Sequence, residues 1–389
     1  MRYAKKKKTT TPTTMPKFFP KLDPEYAKNY SPKPFPFDIP ADKIPPVQKH
    51  QYNGANFTYM IWPATATTNT NTNTNTNTNT NTNTSPPKNN LIDNENSATN
   101  GIGHSDCENN TTRIIFVHGF GEYTKIYYRL MYDLSLHGIE SCFFDQRGAG
   151  ETSPYKLKGL TDSKHQFDDL DHFIEFFTTQ PETKPTKTYL FGHNMGGGIV
   201  LNYGFLSEMK NLHKIDGIIC TGPLIKLHPR TRPGFVLTQA MKLLANCAPT
   251  FQVDGDLDID GITDDLKVQQ WMLNDFPWTT PCVGSVRLLY DMLYDGERLV
   301  EESGRGSKFV TSTSCATFPA KLLILHGLKD TINDYKASQQ FMEQILPSVD
   351  PQNRISKKLV LLPQGIHSLA LCTGNGVYDD LINHVLEFV

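Results

Sequence analysis

The chain has 389 residues, 38% of them hydrophobic and 11% aromatic, so it is long enough to bury one large core. Its 38 basic and 40 acidic residues nearly cancel, and this balance excludes the strong positive field that nucleic-acid binding needs. The seven cysteines are scattered without a Cys-x-x-Cys pair, which predicts neither a disulfide framework nor a zinc site. We therefore expect an intracellular protein with reduced thiols.

Two stretches of low complexity flank the first predicted strand. Residues 1–48 contain four consecutive lysines and prolines at short intervals, which predicts a disordered tail. The lysines favour a solvated tail, with contact to an anionic membrane surface as the alternative. A strand is predicted at 57–62, and the Asn-Thr repeat within 64–112 predicts a flexible insertion before the next strand.

From residue 113 onward, short apolar runs alternate with segments of helical spacing. This alternation predicts an α/β fold with a mostly parallel central sheet and helices on both faces. The strands are expected at 114–117, 139–144, 188–191, 217–220, 322–325 and 359–362, and the helices at 126–137, 167–177, 197–209 and 335–345. Function is expected in the loops at the carboxyl ends of the strands.

The alternation is interrupted between residues 224 and 318. This span is rich in Pro, Gly and aromatic residues, with amphipathic pieces at 235–245, 266–273 and 285–293. It follows one core strand and precedes another, which predicts a helical cap inserted into a core made of residues 49–223 and 319–389. A separate small domain is the alternative. No run of about 18 apolar residues occurs, so no membrane span is expected.

The segment Gly192-His193-Asn194-Met195-Gly196 has the pattern of a nucleophile elbow. It follows an apolar run and precedes an apolar helix, and the elbow needs small residues two positions to either side of the nucleophile. The central position normally carries serine. Here it carries Asn194, which has no hydroxyl group.

The other parts of a serine hydrolase site follow predicted strands in the expected order. After the strand at 114–117 comes His-Gly-Phe-Gly, so the Phe120 N–H is a candidate oxyanion donor, with the Met195 N–H as the second. Asp330 follows the strand at 322–325 and is the candidate orienting acid. His367 follows the strand at 359–362 and is the candidate base. The joint order of elbow, acid and His favours this assignment.

Four runs of sequence, at 118–125, 144–150, 192–198 and 326–334, resemble those of fungal monoacylglycerol lipases within the serine aminopeptidase S33-like group. The resemblance implies a capped α/β hydrolase that cleaves the ester of a monoacylglycerol to fatty acid and glycerol, with monoacylglycerol or another acyl-ester lipid as its partner. It also implies contact with membranes or lipid droplets, and no cofactor or metal ion is expected.

The resemblance carries over to individual positions. Asp330 and His367 match the acid and the base, and Phe120 and Met195 match the oxyanion donors. Two further residues match polar positions near the glycerol end of the substrate: Glu122 and His193. Asn194 matches the nucleophile position and departs from the pattern.

Three interpretations of Asn194 are open. The first is a pseudoenzyme that binds an acyl lipid without cleaving it, because an amide nitrogen is not a usable nucleophile. The second is an active lipase whose working sequence differs from this one at position 194. The third is deamidation to a carboxylate nucleophile, which Met195 disfavours because a glycine in that place would make the reaction easier.

Overall fold

The computed structural model describes residues 31–65, 111–180, 185–255, 258–301 and 309–389, together with the backbone of residues 17–18. Its centre is an eight-stranded sheet. The strands are β1 (Gln48–Tyr52), β2 (Ala55–Trp62), β3 (Thr112–Val117), β4 (Ile139–Phe144), β5 (Lys187–His193), β6 (Gly217–Thr221), β7 (Lys321–Gly327) and β8 (Ser356–Leu362). Their order across the sheet is β8-β7-β6-β5-β3-β4-β2-β1. Strands β3 to β8 pair in parallel, and β2 joins them antiparallel to β4.

The central strands are buried on both faces because alternate side chains enter two different cores. In β3, Ile115 and Val117 contribute to one core, and Ile114 and Phe116 to the other. The first core is covered by α2 (Ser163–Thr178), α3 (Met195–Phe205) and α9 (Tyr335–Gln340). The second is covered by α1 (Tyr128–Leu136) and α11 (Val377–Phe388). The predicted fold class is confirmed.

Every strand and helix that the sequence predicted is present, with boundaries shifted by a few residues. The predicted helix at 197–209 begins at Met195 and ends at Phe205, and all eleven of its residues are buried. The missed elements include β1, α11 and three helices of four residues each: α5 (Ile259–Ile262), α8 (Ser312–Cys315) and α10 (Leu346–Val349). The strand β1 is an edge strand with a polar sequence, so it carries little apolar pattern.

The end of the predicted tail packs against the core, so the expected boundary of disorder at residue 48 is wrong. The ring of Phe35 lies 5.4 Å from that of Trp271 and 5.9 Å from that of Tyr128. The guanidinium of Arg129 lies 4.9 Å from the centre of the Phe37 ring. Aromatic rings supply the apolar area for this packing. The average composition of a proline-rich segment does not reveal them. Residues 1–30, apart from 17–18, and most of the Asn-Thr insertion (66–110) lie outside the described residues.

The 224–318 segment contains the three helices predicted for it: α4 (Phe235–Cys247), α6 (Leu266–Leu273) and α7 (Val286–Arg298). The strands Gln252–Asp254 and Val283–Ser285 form a small antiparallel sheet, which Lys17–Phe18 extends. Among the described helices, none has the length and apolar character to cross a membrane.

Lys158 links this segment to the core through hydrogen bonds. Its buried Nζ donates hydrogen bonds to the carbonyl oxygens of Pro277 at 2.8 Å, Trp278 at 2.6 Å and Pro281 at 2.6 Å. Burial lowers the pKa of Lys158 to about 8. The three carbonyl groups replace the water that the ammonium loses on burial.

Candidate active site

Asn194 lies in the tight turn between β5 and α3, with φ of 52° and ψ of −118°. Its N–H donates to the Thr221 carbonyl at 3.2 Å. The turn depends on two glycines, because a Cβ on Gly192 would lie 2.4 Å from the Gly196 carbonyl oxygen, and a Cβ on Gly196 would lie 2.0 Å from the Val117 carbonyl oxygen. Asparagine is enriched at positive φ, mainly in the left-handed α region, and here the packing of the turn holds it at a ψ outside that region.

His367 connects Asn194 to Asp330. The His367 Nδ1 lies 2.8 Å from the Asp330 Oδ2, and the His367 Nε2 lies 2.7 Å from the Asn194 Nδ2. Since an ionised carboxylate only accepts, the neutral ring carries its proton on Nδ1 and donates it to Asp330. The Nε2 is then an acceptor, and it receives a hydrogen bond from the Asn194 amide.

Asp330 is buried and fixed by its neighbours. Its Oδ1 accepts from the backbone N–H groups of Ile332 at 2.8 Å and Asn333 at 2.9 Å, and its Oδ2 also faces the His326 Nε2 at 3.1 Å. Burial opposes ionisation, but the charge of His367 and the hydrogen bonds from both histidines outweigh it. Together they hold the pKa of Asp330 well below its ordinary value.

His367 shows the reciprocal effect. Burial lowers its pKa, but the nearby Asp330 carboxylate raises it by more, through its charge and its hydrogen bond, so the net direction is upward. A histidine that is oriented by a carboxylate and made more basic is the arrangement needed to take a proton from a hydroxyl group at the elbow. Asn194 offers an amide there instead.

Glu122 and His193 lie together beside the elbow. The Glu122 Oε2 accepts from the Gly119 N–H at 2.7 Å and from the Tyr127 hydroxyl at 2.6 Å. The His193 Nδ1 donates to the Thr221 carbonyl at 2.9 Å, and its Nε2 lies 3.7 Å from the Glu122 Oε1. Burial lowers the pKa of His193, which favours the neutral ring. Among the described atoms, the His193 Nε2 has no hydrogen-bond partner.

The loop after β3 is held against the elbow. The His118 Nε2 accepts from the Gln146 N–H at 2.9 Å, and the Gln146 side-chain amide donates to the His118 carbonyl at 2.7 Å. A Cβ on Gly119 would lie 2.9 Å from the Asn194 Cβ, so this loop and the elbow are in contact. Phe120 follows in this loop. Met195 is the first residue of α3, where N–H groups lack an intrahelical acceptor.

A cavity of about 200 Å³ opens over this cluster. Its polar wall includes Glu122, Asn194 and His367, and most of the remaining lining is apolar and comes from the 224–318 segment: Leu224, Leu227, Ile262, Met272, Leu289 and Met292. A larger cavity of about 550 Å³ lies beside α4 and α7, and no predicted site residue lines it.

The structure therefore brings the predicted residues to one end of the sheet. Asn194, His367 and Asp330 form one hydrogen-bonded chain. Sequence reasoning missed His326, which faces Asp330, and Tyr127, which bonds Glu122. The only sequence signal for His326 was a polar residue near the end of an otherwise apolar strand.

The strand order and the sequence of elbow, acid and histidine along the chain define an α/β hydrolase. The chain belongs to the serine aminopeptidase S33 family, whose model matches residues 108–371.

Its relatives include monoglyceride lipases. The monoglyceride lipase of Saccharomyces cerevisiae is 34% identical over 356 residues, which cover 92% of this chain and 96% of the relative. A putative monoglyceride lipase of Schizosaccharomyces pombe is 33% identical over 234 residues, covering 59% of this chain and 57% of the relative. The crystal structure of a soluble variant of the S. cerevisiae enzyme with a substrate analog has a TM-score of 0.70, over 91% of this chain and 97% of that one. The chain is a homologue of these hydrolases.

Proposed function

We propose that this chain binds a monoacylglycerol, or a similar single-chain acyl ester, and does not hydrolyse it through an acyl-enzyme. The observation that carries the proposal is the hydrogen bond of 2.7 Å from the Asn194 amide to His367, at the position where a serine hydroxyl would have to stand. The family and the relatives support the ligand class. The side chain at the elbow is the reason to separate binding from turnover.

The chemistry of Asn194 opposes covalent catalysis. Its amide nitrogen lone pair is delocalised into the carbonyl group, so it does not attack an ester. A serine hydrolase without its nucleophile retains roughly 10³ to 10⁴-fold acceleration over water, which comes from the oxyanion donors and from binding. The amide also occupies the acceptor nitrogen of His367, which is the atom that would activate water.

The cavity supports binding of an acyl ester. Its wall is mostly apolar, as an acyl chain requires, while Glu122 and the neighbouring His193 offer acceptors that a glycerol hydroxyl could donate to. We assign Glu122 and His193 to the glycerol end, and the Phe120 and Met195 N–H groups to the ester carbonyl. A nonhydrolysable ether analogue of monoacylglycerol is expected to raise the melting temperature, because a ligand at 100 times its Kd stabilises a fold by about 2.7 kcal/mol.

Asn194→Ser is the decisive experiment. The serine hydroxyl would meet the His367 Nε2, which the Asp330 hydrogen bond keeps as an acceptor, so we expect monoacylglycerol turnover to rise by roughly 10³-fold or more. A fluorophosphonate probe should label the variant at position 194 only. Asn194→Ala is the matched control, since it removes the amide without adding a hydroxyl.

Two outcomes contradict the proposal. Rapid monoacylglycerol turnover by the unaltered chain would establish it as a lipase, which the intact Asp330–His367 pair favours as the second candidate function. Failure of Asn194→Ser to gain activity, together with no thermal shift from the ether analogue, would remove lipid binding as well.

We also propose that α4 contacts a lipid surface. Phe235 and Val236 are 78% and 81% exposed at its start, and Leu243 is exposed near its end. The helix sequence contains no acidic residue that an anionic membrane would repel.

Single Phe235→Asp and Val236→Asp variants should reduce co-sedimentation with phosphatidylcholine–phosphatidylserine vesicles. Gln239→Asp adds the same charge at an exposed polar position of α4 and is the control. Equal loss in all three variants would point to charge repulsion alone.

A further inference from the structure

Asn194 is held in the backbone conformation of a cyclic imide. In an L-residue viewed along the Cα–C bond, the Cβ lies about 120° from the residue's own N atom, in the direction that corresponds to a ψ of about −120°. At ψ of −118°, the N atom of Met195 therefore eclipses the Cβ of Asn194. That eclipsed arrangement is required for a five-membered ring made of Cγ, Cβ, Cα, C and the Met195 N. Rotation about the Cα–Cβ bond then brings the Cγ towards the Met195 N.

We propose that the elbow promotes cyclisation of Asn194 and its conversion to an aspartate. The Met195 N attacks the Asn194 Cγ and loses its proton to solvent, while the Cγ–Nδ2 bond breaks and the nitrogen leaves as ammonia. Water then adds to the Cγ and breaks its bond to the Met195 N. The products are a carboxylate at position 194, a restored Met195 N–H and free ammonia.

The identity of the following residue does not oppose this reaction here. In a flexible chain, glycine after asparagine helps because it lets the backbone reach the ring geometry. The elbow supplies that geometry for Asn194 through the contacts that exclude side chains at Gly192 and Gly196. Fixing reacting groups in position accelerates ring closure by removing the entropy cost of finding the arrangement.

Two neighbouring groups assist the bond changes. The Met195 N–H lies in the first turn of α3, an eleven-residue helix, whose N-terminal dipole stabilises negative charge developing on the attacking nitrogen. The His367 Nε2 lies 2.7 Å from the Asn194 Nδ2 before the side chain rotates, so His367, once protonated on Nε2, is the nearest acid for the departing nitrogen. The Asp330 carboxylate, 2.8 Å from the other ring nitrogen, favours that protonated form.

The chain supplies its own comparison sites. Asn53 precedes Gly54 and Asn375 precedes Gly376, so both have the sequence that reacts fastest in an unfolded chain. The full-length protein, folded or denatured in urea, would be incubated in H₂¹⁸O at neutral pH, and peptides covering the three asparagines would be followed by mass spectrometry. We expect the rate at Asn194 to be at least about tenfold higher in the folded than in the denatured protein. In the denatured chain, Asn194 should be slower than both Asn53 and Asn375.

A rate at Asn194 that is lower in the folded protein than in the denatured one would overturn the proposal. His367→Ala should slow the folded-state reaction at Asn194 and leave the rates at Asn53 and Asn375 unchanged. An unchanged rate at Asn194 would overturn the role of His367. Electron-transfer fragmentation separates aspartate from isoaspartate, and a predominance of isoaspartate would contradict cleavage at the Cγ. None of these measurements depends on lipid binding.

Discussion

The acid–base side of the site and the elbow side differ in what they provide for hydrolysis. Asp330 and His367, in the loops after β7 and β8, form a buried hydrogen-bonded pair of the kind that serine hydrolases use. The elbow after β5 has the backbone turn but carries Asn194 in place of a hydroxyl. The difference indicates that the turn is set by its flanking glycines and is independent of the nucleophile. The two sides can therefore be altered separately.

The largest effect is expected on the acid–base side. In the Asn194→Ser background, Asp330→Asn should lower kcat by roughly 10³ to 10⁴-fold, because an amide no longer holds His367 in the tautomer with a free Nε2. Steady-state hydrolysis of a monoacylglycerol measures the change. Asp334→Asn is the matched control, a nearby carboxylate that caps α9 and does not touch His367. Equal loss in both variants would mean that the Asp330 pair has no special role.

The elbow backbone is tested by Gly196→Ala. The added Cβ would lie 2.0 Å from the Val117 carbonyl oxygen, so α3 would have to move away from β3. We expect a loss of about 3 kcal/mol or more in the free energy of unfolding. Gly374→Ala is the control, since a Cβ there meets no atom within 4 Å. A thermal denaturation curve unchanged by Gly196→Ala would refute the packing argument.

The attachment of the 224–318 segment, which lines the cavity, is tested by Lys158→Met. The variant leaves the carbonyl groups of Pro277, Trp278 and Pro281 without their shared donor, at a cost of about 2 kcal/mol. Urea denaturation measures the loss. Lys156→Met changes an exposed lysine two residues away and should have little effect. Similar stabilities for the two variants would show that the three carbonyl contacts contribute nothing measurable.

The smallest effect is a pH dependence on the acid–base side. The pKa of His367 is raised, so its stabilising contribution is complete below the ordinary histidine pKa and is lost as the pH rises through the raised value. The pKa of Asp330 is lowered, so its contribution is present above the ordinary carboxyl range and is lost only in strong acid. Relative to the unaltered chain, replacing His367 by Gln should therefore remove a contribution to stability that falls as the pH rises above the ordinary histidine pKa.

Urea denaturation at several pH values measures that slope. His137→Gln, at an exposed position in the turn after α1, is the control and should retain it. A slope that is identical in the His367→Gln variant and the unaltered chain would contradict coupling between His367 and Asp330.

Local patterns predicted the elements that have strong apolar periodicity. The run Ile139–Phe144 was predicted to the residue, and α6 was predicted at 266–273, because each has a clear sequence pattern bounded by turn residues. The edge strand β1 and the packing of Phe35 were missed. The strand β1 pairs with β2, only two residues further along the chain, but its own sequence is too polar to show an apolar pattern. The packing of Phe35 depends on Trp271, which is far away in the chain.

The sequence by itself determined the α/β fold, the elbow and the order of Asn194, Asp330 and His367, because glycine spacing and apolar periodicity are local properties. Only the tertiary structure decided that the Asn194 amide meets the His367 Nε2, that His326 also faces Asp330, and that ψ at the elbow aligns the Met195 N with the Asn194 side chain. These relations join loops from three different strands. Their distances follow from how the whole sheet packs, which no local pattern encodes.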